Sequence, residues 1–310
     1  MNKKISTNGE LTFPAAFLSV FICALFGANA VAIKICLSGL GVFTTAGIRF
    51  SIAAAAIYLW ALVTRKSFAI KRGQKLQLLF FTLTFMAQLS LFYFGVSRTK
   101  ASHATLLSNL MPFFILFFAH FFIPGDRITT RKILGILMGF TGVCVLFLWK
   151  KGGKTDVQFG DFIILIVVFI WASRTVYMKR IIDGFESFHL VFYPMIFSVP
   201  IFFIEALLWD DPMLFNLDIK VLSSLLYQSL VTASFGFLAW TSLLKKYGAT
   251  SLHAFIFIMP VSGVLLSGLL LGEQLTLNLL FAMFFIVTGI LLVHLKVKKP
   301  TPMFPLGRNI

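Results

Sequence analysis

Long apolar stretches dominate this sequence and constrain its fold more than any other feature. A helix needs about 20 apolar residues to cross the hydrocarbon layer of a bilayer. In lipid, backbone polar groups must be satisfied within the spanning segment, so we expect each such stretch to be an α-helix. The chain contains ten candidate spans, at 14–36, 43–63, 76–97, 101–122, 131–149, 160–178, 187–208, 221–244, 250–271 and 276–295. The connections between them are short and predict turns without an attached soluble domain.

The amino-acid composition indicates a membrane protein and excludes a soluble one. Hydrophobic residues make up 59% of the chain and charged residues 12%, with a mean hydropathy of +0.94. A soluble protein of 310 residues has too little interior to hide that much apolar surface. The net charge of +16 would indicate nucleic-acid binding in a soluble domain, but here the basic residues lie in short loops between apolar stretches. We therefore expect a lipid bilayer, and no nucleic acid, among the partners.

The cysteines and histidines do not form a metal or disulfide pattern. Cys23, Cys36 and Cys144 lie in or beside apolar stretches, which favours packing roles. The histidines, at 103, 120, 189, 253 and 294, lack the spacing of metal ligands. We therefore expect neither a metal nor another cofactor.

Loop charges predict the orientation of the chain. If the amino terminus is cytoplasmic, the tails and the even-numbered loops carry most of the 27 Lys and Arg residues. The positive-inside rule then places both termini in the cytoplasm of a cell whose inner or plasma membrane holds the protein.

One segment of the chain occurs twice, with a proline in the middle of an apolar span and a charged turn at its end. Residues 101–129 and 249–276 correspond. Pro112 matches Pro260, and Asp126 matches Glu273. Such self-similarity indicates a repeated architecture.

The repeat has a consequence for topology, because each half contains five spans. An odd number of spans forces the second half to cross the membrane in the opposite sense. The predicted fold is therefore an all-α membrane protein of two inverted five-helix repeats, at 14–149 and 160–295, around a central cavity, with cytoplasmic tails at 1–13 and 296–310. Many secondary carriers are built in this way.

Several short motifs in register resemble a known family. They are FGAN at 26–29, GIRF at 47–50, the turns GDRIT and GEQLT, and Gly142 and Gly289 in the fifth and tenth spans. Together with the central prolines they make nearly the whole chain similar to the EamA family of the drug/metabolite transporter superfamily. The resemblance implies a ten-helix inverted-repeat fold with a central cavity, and export or exchange of small metabolites. Two positions depart from the pattern: Phe26 replaces the usual Trp, and Arg174 stands where the first half has Asn29.

Polar residues inside apolar spans are the candidate site, because polar groups in lipid are unfavourable unless they face the bundle interior. Thr105, Ser108 and Asn109 share one helix face with Pro112. Arg49 and Arg174 either line a cavity or extend to the membrane surface. The candidate cavity residues are Asn29, Arg49, Gln88, Ser108, Asn109, Arg174, Tyr177, Gln228, Trp240 and His253. The alternative is that they form interhelical hydrogen bonds without touching a substrate.

Prolines and glycines in the spans suggest bending and close packing. Pro112 and Pro260 each remove a backbone donor and free a carbonyl, so they are candidates for a kink or a gate. The pairs Gly135/Gly139 and Gly268/Gly272 have the spacing that permits close helix approach.

The charge pattern of the spans favours a carrier over an enzyme. No Asp or Glu lies in the middle of a span, so two arginines stand without an acidic partner in sequence. This pattern suggests that a small amphipathic substrate, such as an amino acid or related carboxylate, brings the negative charge. A flippase for lipids or lipid-linked substrates is the alternative. An intramembrane lipid-modifying enzyme is disfavoured because no nucleophile–base or metal motif occurs. The oligomeric state stays open, with a monomer possible.

Overall fold

The computed structural model describes residues 12–122, 130–148, 157–247, 252 and 255–294. Apart from one bridge between Leu40 and Leu214, these residues form helices and turns without β-strands. The α-helices are α1 (Phe13–Gly27), α2 (Asn29–Cys36), α3 (Val42–Val63), α4 (Lys75–Ser97), α5 (Ala101–Ser108), α6 (Met111–Phe122), α7 (Thr130–Leu148), α8 (Phe159–Ile181), α9 (His189–Trp209), α10 (Ile219–Leu226), α11 (Phe237–Tyr247), α12 (Ile258–Leu271) and α13 (Leu277–His294). A π-helix, Tyr227–Gly236, joins α10 to α11, and two 3₁₀ turns are at Arg72–Gln74 and Ile182–Gly184.

The described helices have the length and apolar character of membrane spans. In the described part of the chain, seven helical stretches, some of which combine consecutive helices, are long and apolar enough to cross a bilayer; Val42–Val63 and Phe159–Gly184 are examples. Ile258–Leu271 and Leu277–Val293 are shorter apolar helices. The prediction of an all-helical membrane protein is confirmed, and the count of ten spans stays a prediction.

The interior is packed mainly with aromatic and aliphatic side chains. Phe50 of α3 lies with its ring centroid 5.7 Å from that of Phe85 on α4 and 5.5 Å from that of Phe202 on α9. All three rings are buried. Because α3 and α4 belong to the first half of the chain and α9 to the second, this cluster joins the two halves.

The first and fourth spans are each interrupted. The first changes from α1 to α2 at Ala28, and α5 ends at Ser108 before α6 begins at Met111. Pro112 is therefore in the first turn of α6, and Pro260 is in the first turn of α12. At these positions a missing N–H is tolerated. The prolines thus begin new helices after a break, whereas the sequence suggested kinks in the middle of continuous helices.

Acidic side chains cap helix N-termini at one end of the bundle. Glu273 accepts hydrogen bonds from the backbone N–H groups of Ala101 (2.7 Å) and Ser102 (3.0 Å) at the start of α5. Asp210 accepts from Val42 (3.0 Å) and Thr44 (2.7 Å) at the start of α3. Carboxylates satisfy the free N–H groups there and interact favourably with the helix dipole. We call this end, with the connections 37–41, 98–100, 210–218 and 272–276, the capped face.

The opposite end of the bundle is formed by connections 64–74 and 182–188, and we call it the basic face. Lys66 and Glu186 form an ion pair there at 3.6 Å. The Gln74 amide donates to the Gly184 carbonyl, and a ring nitrogen of His189 lies 2.7 Å from the Ser67 carbonyl oxygen. These contacts tie a connection of the first half to one of the second.

Glycines allow α7 and α13 to approach closely. A Cβ added at Gly289 would lie 2.6 Å from the Gly135 carbonyl oxygen and 2.9 Å from the Gly139 nitrogen. The predicted packing role of Gly135 and Gly139 agrees with these distances. The Gly268/Gly272 pair is different, because Gly268 faces Leu275 of its own connection and Gly272 ends α12 with a φ of 67°. That spacing reflects a helix end, where glycine accommodates the left-handed backbone.

We predict that Gly289→Ala destabilises the protein, because the new methyl group would collide with backbone atoms of α7. Overpacking of this kind usually costs about 1–3 kcal/mol. Thermal unfolding in detergent measures the loss, with Gly73→Ala as control because nothing lies within 4 Å of its added Cβ. Since alanine favours helices over glycine, an unchanged or higher melting temperature for Gly289→Ala would contradict the close approach.

Candidate functional site

A cavity of about 190 Å³ lies between the helices of the bundle. Helices from both halves of the chain form its wall. They include α1, α3 and α4 of the first half and α8, α11 and α12 of the second. Aromatic side chains make up much of this wall: Phe26 has its ring centroid 5.6 Å from that of Phe237 and 6.2 Å from that of Trp240. Polar side chains are few, which is typical of ligand sites. The volume is below the roughly 300–1,000 Å³ of pockets for drug-sized ligands, so it favours a small molecule.

The cavity is displaced toward the basic face. Its wall includes Met178 near the end of α8, Leu190 at the start of α9 and Leu244 near the end of α11, all close to that face. On the other side the wall includes Arg49, which lies in the half of α3 that adjoins the capped face. Arg49 and its partners therefore separate the cavity from the capped face.

Arg174 is held in the cavity wall by one hydrogen bond and two aromatic rings. Its Nε donates to Gln88 Oε1 at 2.8 Å. Its Cζ lies 5.0 Å from the ring centroid of Phe81 and 5.1 Å from that of Phe85. Guanidinium groups bind favourably to aromatic faces at these distances. The rings and the amide thus fix the orientation of the positive charge while leaving its far end uncovered.

The terminal nitrogens of Arg174 are available to a ligand. A guanidinium has five N–H donors, and only the Nε–H of Arg174 has a hydrogen-bond partner among the described residues. No ion pair to Arg174 occurs in the described part of the chain. Because a guanidinium stays protonated in proteins, the cavity contains a positive charge without a protein counter-ion.

Two hydroxyl groups in the cavity wall also lack partners. Thr105 Oγ1 and Ser108 Oγ are buried and have no hydrogen-bond partner among the described residues. Beside them, Asn109 uses its amide Nδ2 to donate to the Thr105 carbonyl at 2.8 Å. Buried polar groups usually have partners, so these two hydroxyls, whose oxygens are themselves inaccessible, are exceptions in the packing behind the cavity wall.

Arg49 is surrounded by polar groups that bind it. Nη1 donates to Tyr93 Oη at 2.9 Å and to Gln228 Oε1 at 3.3 Å, and Nη2 donates to Thr232 Oγ1 at 3.1 Å. Its guanidinium also lies 5.1 Å from the ring centroid of Phe50. Gln228 in turn donates to the Ala32 carbonyl at 3.2 Å. This Arg49 cluster joins α2, α3, α4 and the π-helix, and the arginine is only 2% exposed.

Most of the sequence-predicted site residues line the cavity, and the others lie elsewhere. The lining includes Asn29, Arg49, Gln88, Ser108, Asn109, Pro112, Arg174 and Trp240. Gln228 is fully buried in the Arg49 cluster and does not line the cavity. Tyr177 packs on Phe80, 5.0 Å between ring centroids, outside the lining. Pro260 is buried away from the cavity surface, and His253 lies outside the described residues.

Sequence reasoning missed several residues of the site. Tyr93 lies in an apolar span, and nothing in the local pattern distinguishes its hydroxyl from a surface group. The rings of Phe81 and Phe85 beside Arg174 are two among 38 phenylalanines. The available signal was their spacing: Phe85 follows Phe81 by four residues and Gln88 follows Phe85 by three, and residues at these spacings share a helix face.

We predict that Arg49→Met destabilises the fold. Interhelical hydrogen bonds in membranes contribute about 0.6 kcal/mol each on average, so the loss of three costs about 2 kcal/mol. Thermal unfolding in detergent measures this, with Lys220→Met, which removes one charge from an exposed site, as control. A melting temperature equal to that of the control would show that the Arg49 cluster does not hold these helices together.

Comparisons with known proteins identify the family of the chain. The model of the EamA-like transporter family matches residues 13–148 and again residues 158–295. A Bacillus subtilis (strain 168) protein named "Uncharacterized transporter YetK" is 27% identical over 287 residues, covering 89% of this chain and 86% of that protein. An Escherichia coli (strain K12) protein named "Probable amino-acid metabolite efflux pump" is 25% identical over 281 residues, covering 88% of this chain and 92% of that protein.

A solved structure described as "Crystal structure of protein" has the same fold. It superposes with a TM-score of 0.69 at 18% sequence identity, over 91% of this chain and 96% of that chain. The family model matches both halves of the chain, and the relatives are named as transporters or efflux pumps, not as enzymes. The chain is an integral membrane protein of the EamA-like transporter family.

Proposed function

We propose that this protein is a secondary carrier that exports or exchanges a small amphipathic metabolite, an amino acid or a related carboxylate, across the inner or plasma membrane. The observation that carries the proposal is the central cavity, which combines aromatic walls with an uncovered guanidinium at Arg174. An amphipathic anion matches both parts. The name of the Escherichia coli relative, "Probable amino-acid metabolite efflux pump", supports the same substrate class.

Alternating access is the proposed mechanism, and the direction of the helices supports it. Lys34, near the end of α2, donates to the Ser97 carbonyl at the end of α4, and the Arg98 carbonyl accepts from Gly160 at the start of α8. The first span of the first half therefore ends at the capped face, and the first span of the second half begins there. This supports inverted repeats of five spans each, which give a carrier two equivalent gates around one site.

The position of the cavity suggests which gate is closed. In the orientation that the loop charges predict, the basic face is cytoplasmic and the capped face is external. The cavity extends toward the basic face, and the Arg49 cluster with the carboxylate caps closes the capped face. In this state the site receives substrate from the cytoplasm. Export then requires the helices around Arg49 to separate.

We predict that Thr175→Trp abolishes transport, because the indole would occupy the cavity that Thr175 lines. Ser173→Trp is the matched control: both hydroxyls bond to the carbonyl four residues earlier, but Ser173 is not part of the lining. Proteoliposomes loaded with a mixture of carboxylates and amino acids are assayed by mass spectrometry of the released compounds.

Release by wild type and Ser173→Trp, but not by Thr175→Trp, is the expected result. Equal release by the two tryptophan variants would contradict transport through this cavity. Movement of fluorescent lipids between leaflets, without release of any water-soluble compound, would favour the flippase alternative.

A further inference from the structure

The charges around the cavity are unbalanced. Arg49 and Arg174 both contribute to its wall, and no Asp or Glu is among the described residues that line it. The described carboxylates have other roles: Glu205 accepts from Ser90 Oγ at 2.8 Å, and Glu273 and Asp210 cap helices at the capped face. Asp161 is buried beside His103, 3.2 Å away, also near that face. None of these carboxylates is a cavity residue that pairs with a cationic ligand.

The two arginines differ in what they offer to a ligand. Arg49 already donates three hydrogen bonds within its cluster and is 2% exposed. Arg174 donates only through Nε, so its two terminal nitrogens remain for a ligand. The two nitrogens on one edge of a guanidinium can donate two parallel hydrogen bonds to the two oxygens of a carboxylate. Arg174 is therefore the anion-binding group, whereas the nitrogen of Arg49 that lacks a partner in the described part of the chain, its Nε, is buried, so that Arg49 contributes positive charge only.

We infer that the substrate is a net monoanion, a carboxylic acid with an apolar or aromatic body and no ammonium group, and that Arg174 binds its carboxylate. The inference rests on the proposed function and narrows its substrate class. A zwitterionic amino acid would bring one negative charge and one positive charge into a cavity that already holds two unneutralised arginines. A monoanion offsets this charge, whereas the ammonium of an amino acid would be repelled and would find no carboxylate partner in the described lining.

The rest of the wall is compatible with such a molecule. The rings of Phe81 and Phe85 flank the guanidinium, and Trp171 packs on Phe92 with ring centroids 6.3 Å apart. These rings offer an apolar surface to the body of the ligand.

Three ligands that share a ring and a chain test this inference. They are 3-phenylpropanoate, phenylalanine and phenethylamine, which near pH 7 are an anion, a zwitterion and a cation. Affinities are measured by calorimetric titration of the purified wild-type protein in detergent. We expect 3-phenylpropanoate to bind at least tenfold more tightly than phenylalanine, and phenethylamine to bind most weakly. The aliphatic series 4-methylpentanoate, leucine and 3-methylbutylamine is measured in parallel.

Arg174 variants test the assignment of the binding group. Arg174→Gln is expected to weaken carboxylate binding at least tenfold and to remove the preference for the anion, while Arg174→Lys keeps part of it. Arg180→Gln is the control, because Arg180 is exposed on the same helix and bonds to the Phe122 carbonyl outside the cavity. Its affinities should equal those of wild type.

The inference is overturned if an amino acid binds as tightly as its deaminated analogue, if neither series binds at millimolar concentration, or if Arg174→Gln keeps the anion preference. These outcomes are separable from failure of the proposed function. If Thr175→Trp blocks the release of compounds from proteoliposomes but phenylalanine is the ligand that binds most tightly, the protein is still a carrier. In that case only the inference of a monoanionic substrate is rejected.

Discussion

The buried guanidinium of Arg49 is the interaction on which the arrangement of the central helices depends. A charged group in the hydrocarbon region is unfavourable by about 2.5–3.5 kcal/mol on insertion scales, so it persists only where polar partners surround it. Tyr93, Gln228 and Thr232 supply those partners from α4 and the π-helix. Because each partner comes from a different turn or helix, the need to solvate one side chain fixes the relative positions of α3, α4 and the π-helix.

Arg174, the second arginine, lies in a different environment, which leaves most of its N–H groups without partners among the described residues. Arg174 rests between aromatic rings and one amide, which stabilise a cation without neutralising it. A site of this kind holds its charge ready for an external anion. The protein thus contains one arginine whose hydrogen-bonding capacity is mostly used by the fold and another whose capacity is mostly free, although both are single basic residues in apolar spans.

The helical membrane class followed from the sequence, because lipid leaves few choices for a backbone with so many apolar stretches. Asn29, Gln88, Ser108 and Arg174 were singled out in the sequence as polar residues of apolar stretches, and the structure places them in the cavity wall, while their contact with a substrate stays a prediction. The sequence did not separate the roles of Arg49 and Gln228 from those of Arg174, because the distinction depends on neighbours from distant helices. Tyr177 was also named from the sequence, but its ring packs on Phe80 and it is not among the described residues that line the cavity, a contact with another helix that the sequence does not reveal.

The carboxylate caps of the capped face connect the two halves in a particular way. Glu273 and Asp210 belong to the second half, yet they satisfy the first N–H groups of α5 and α3 in the first half. Separation of the halves at this end would leave four amide groups and two acids to be hydrated by water at the membrane surface. Dissolved salt screens charge–dipole attraction of this type. The ionic strength of the medium that bathes the capped face therefore acts on these contacts directly, and low salt keeps the two halves joined at this end more firmly than high salt does.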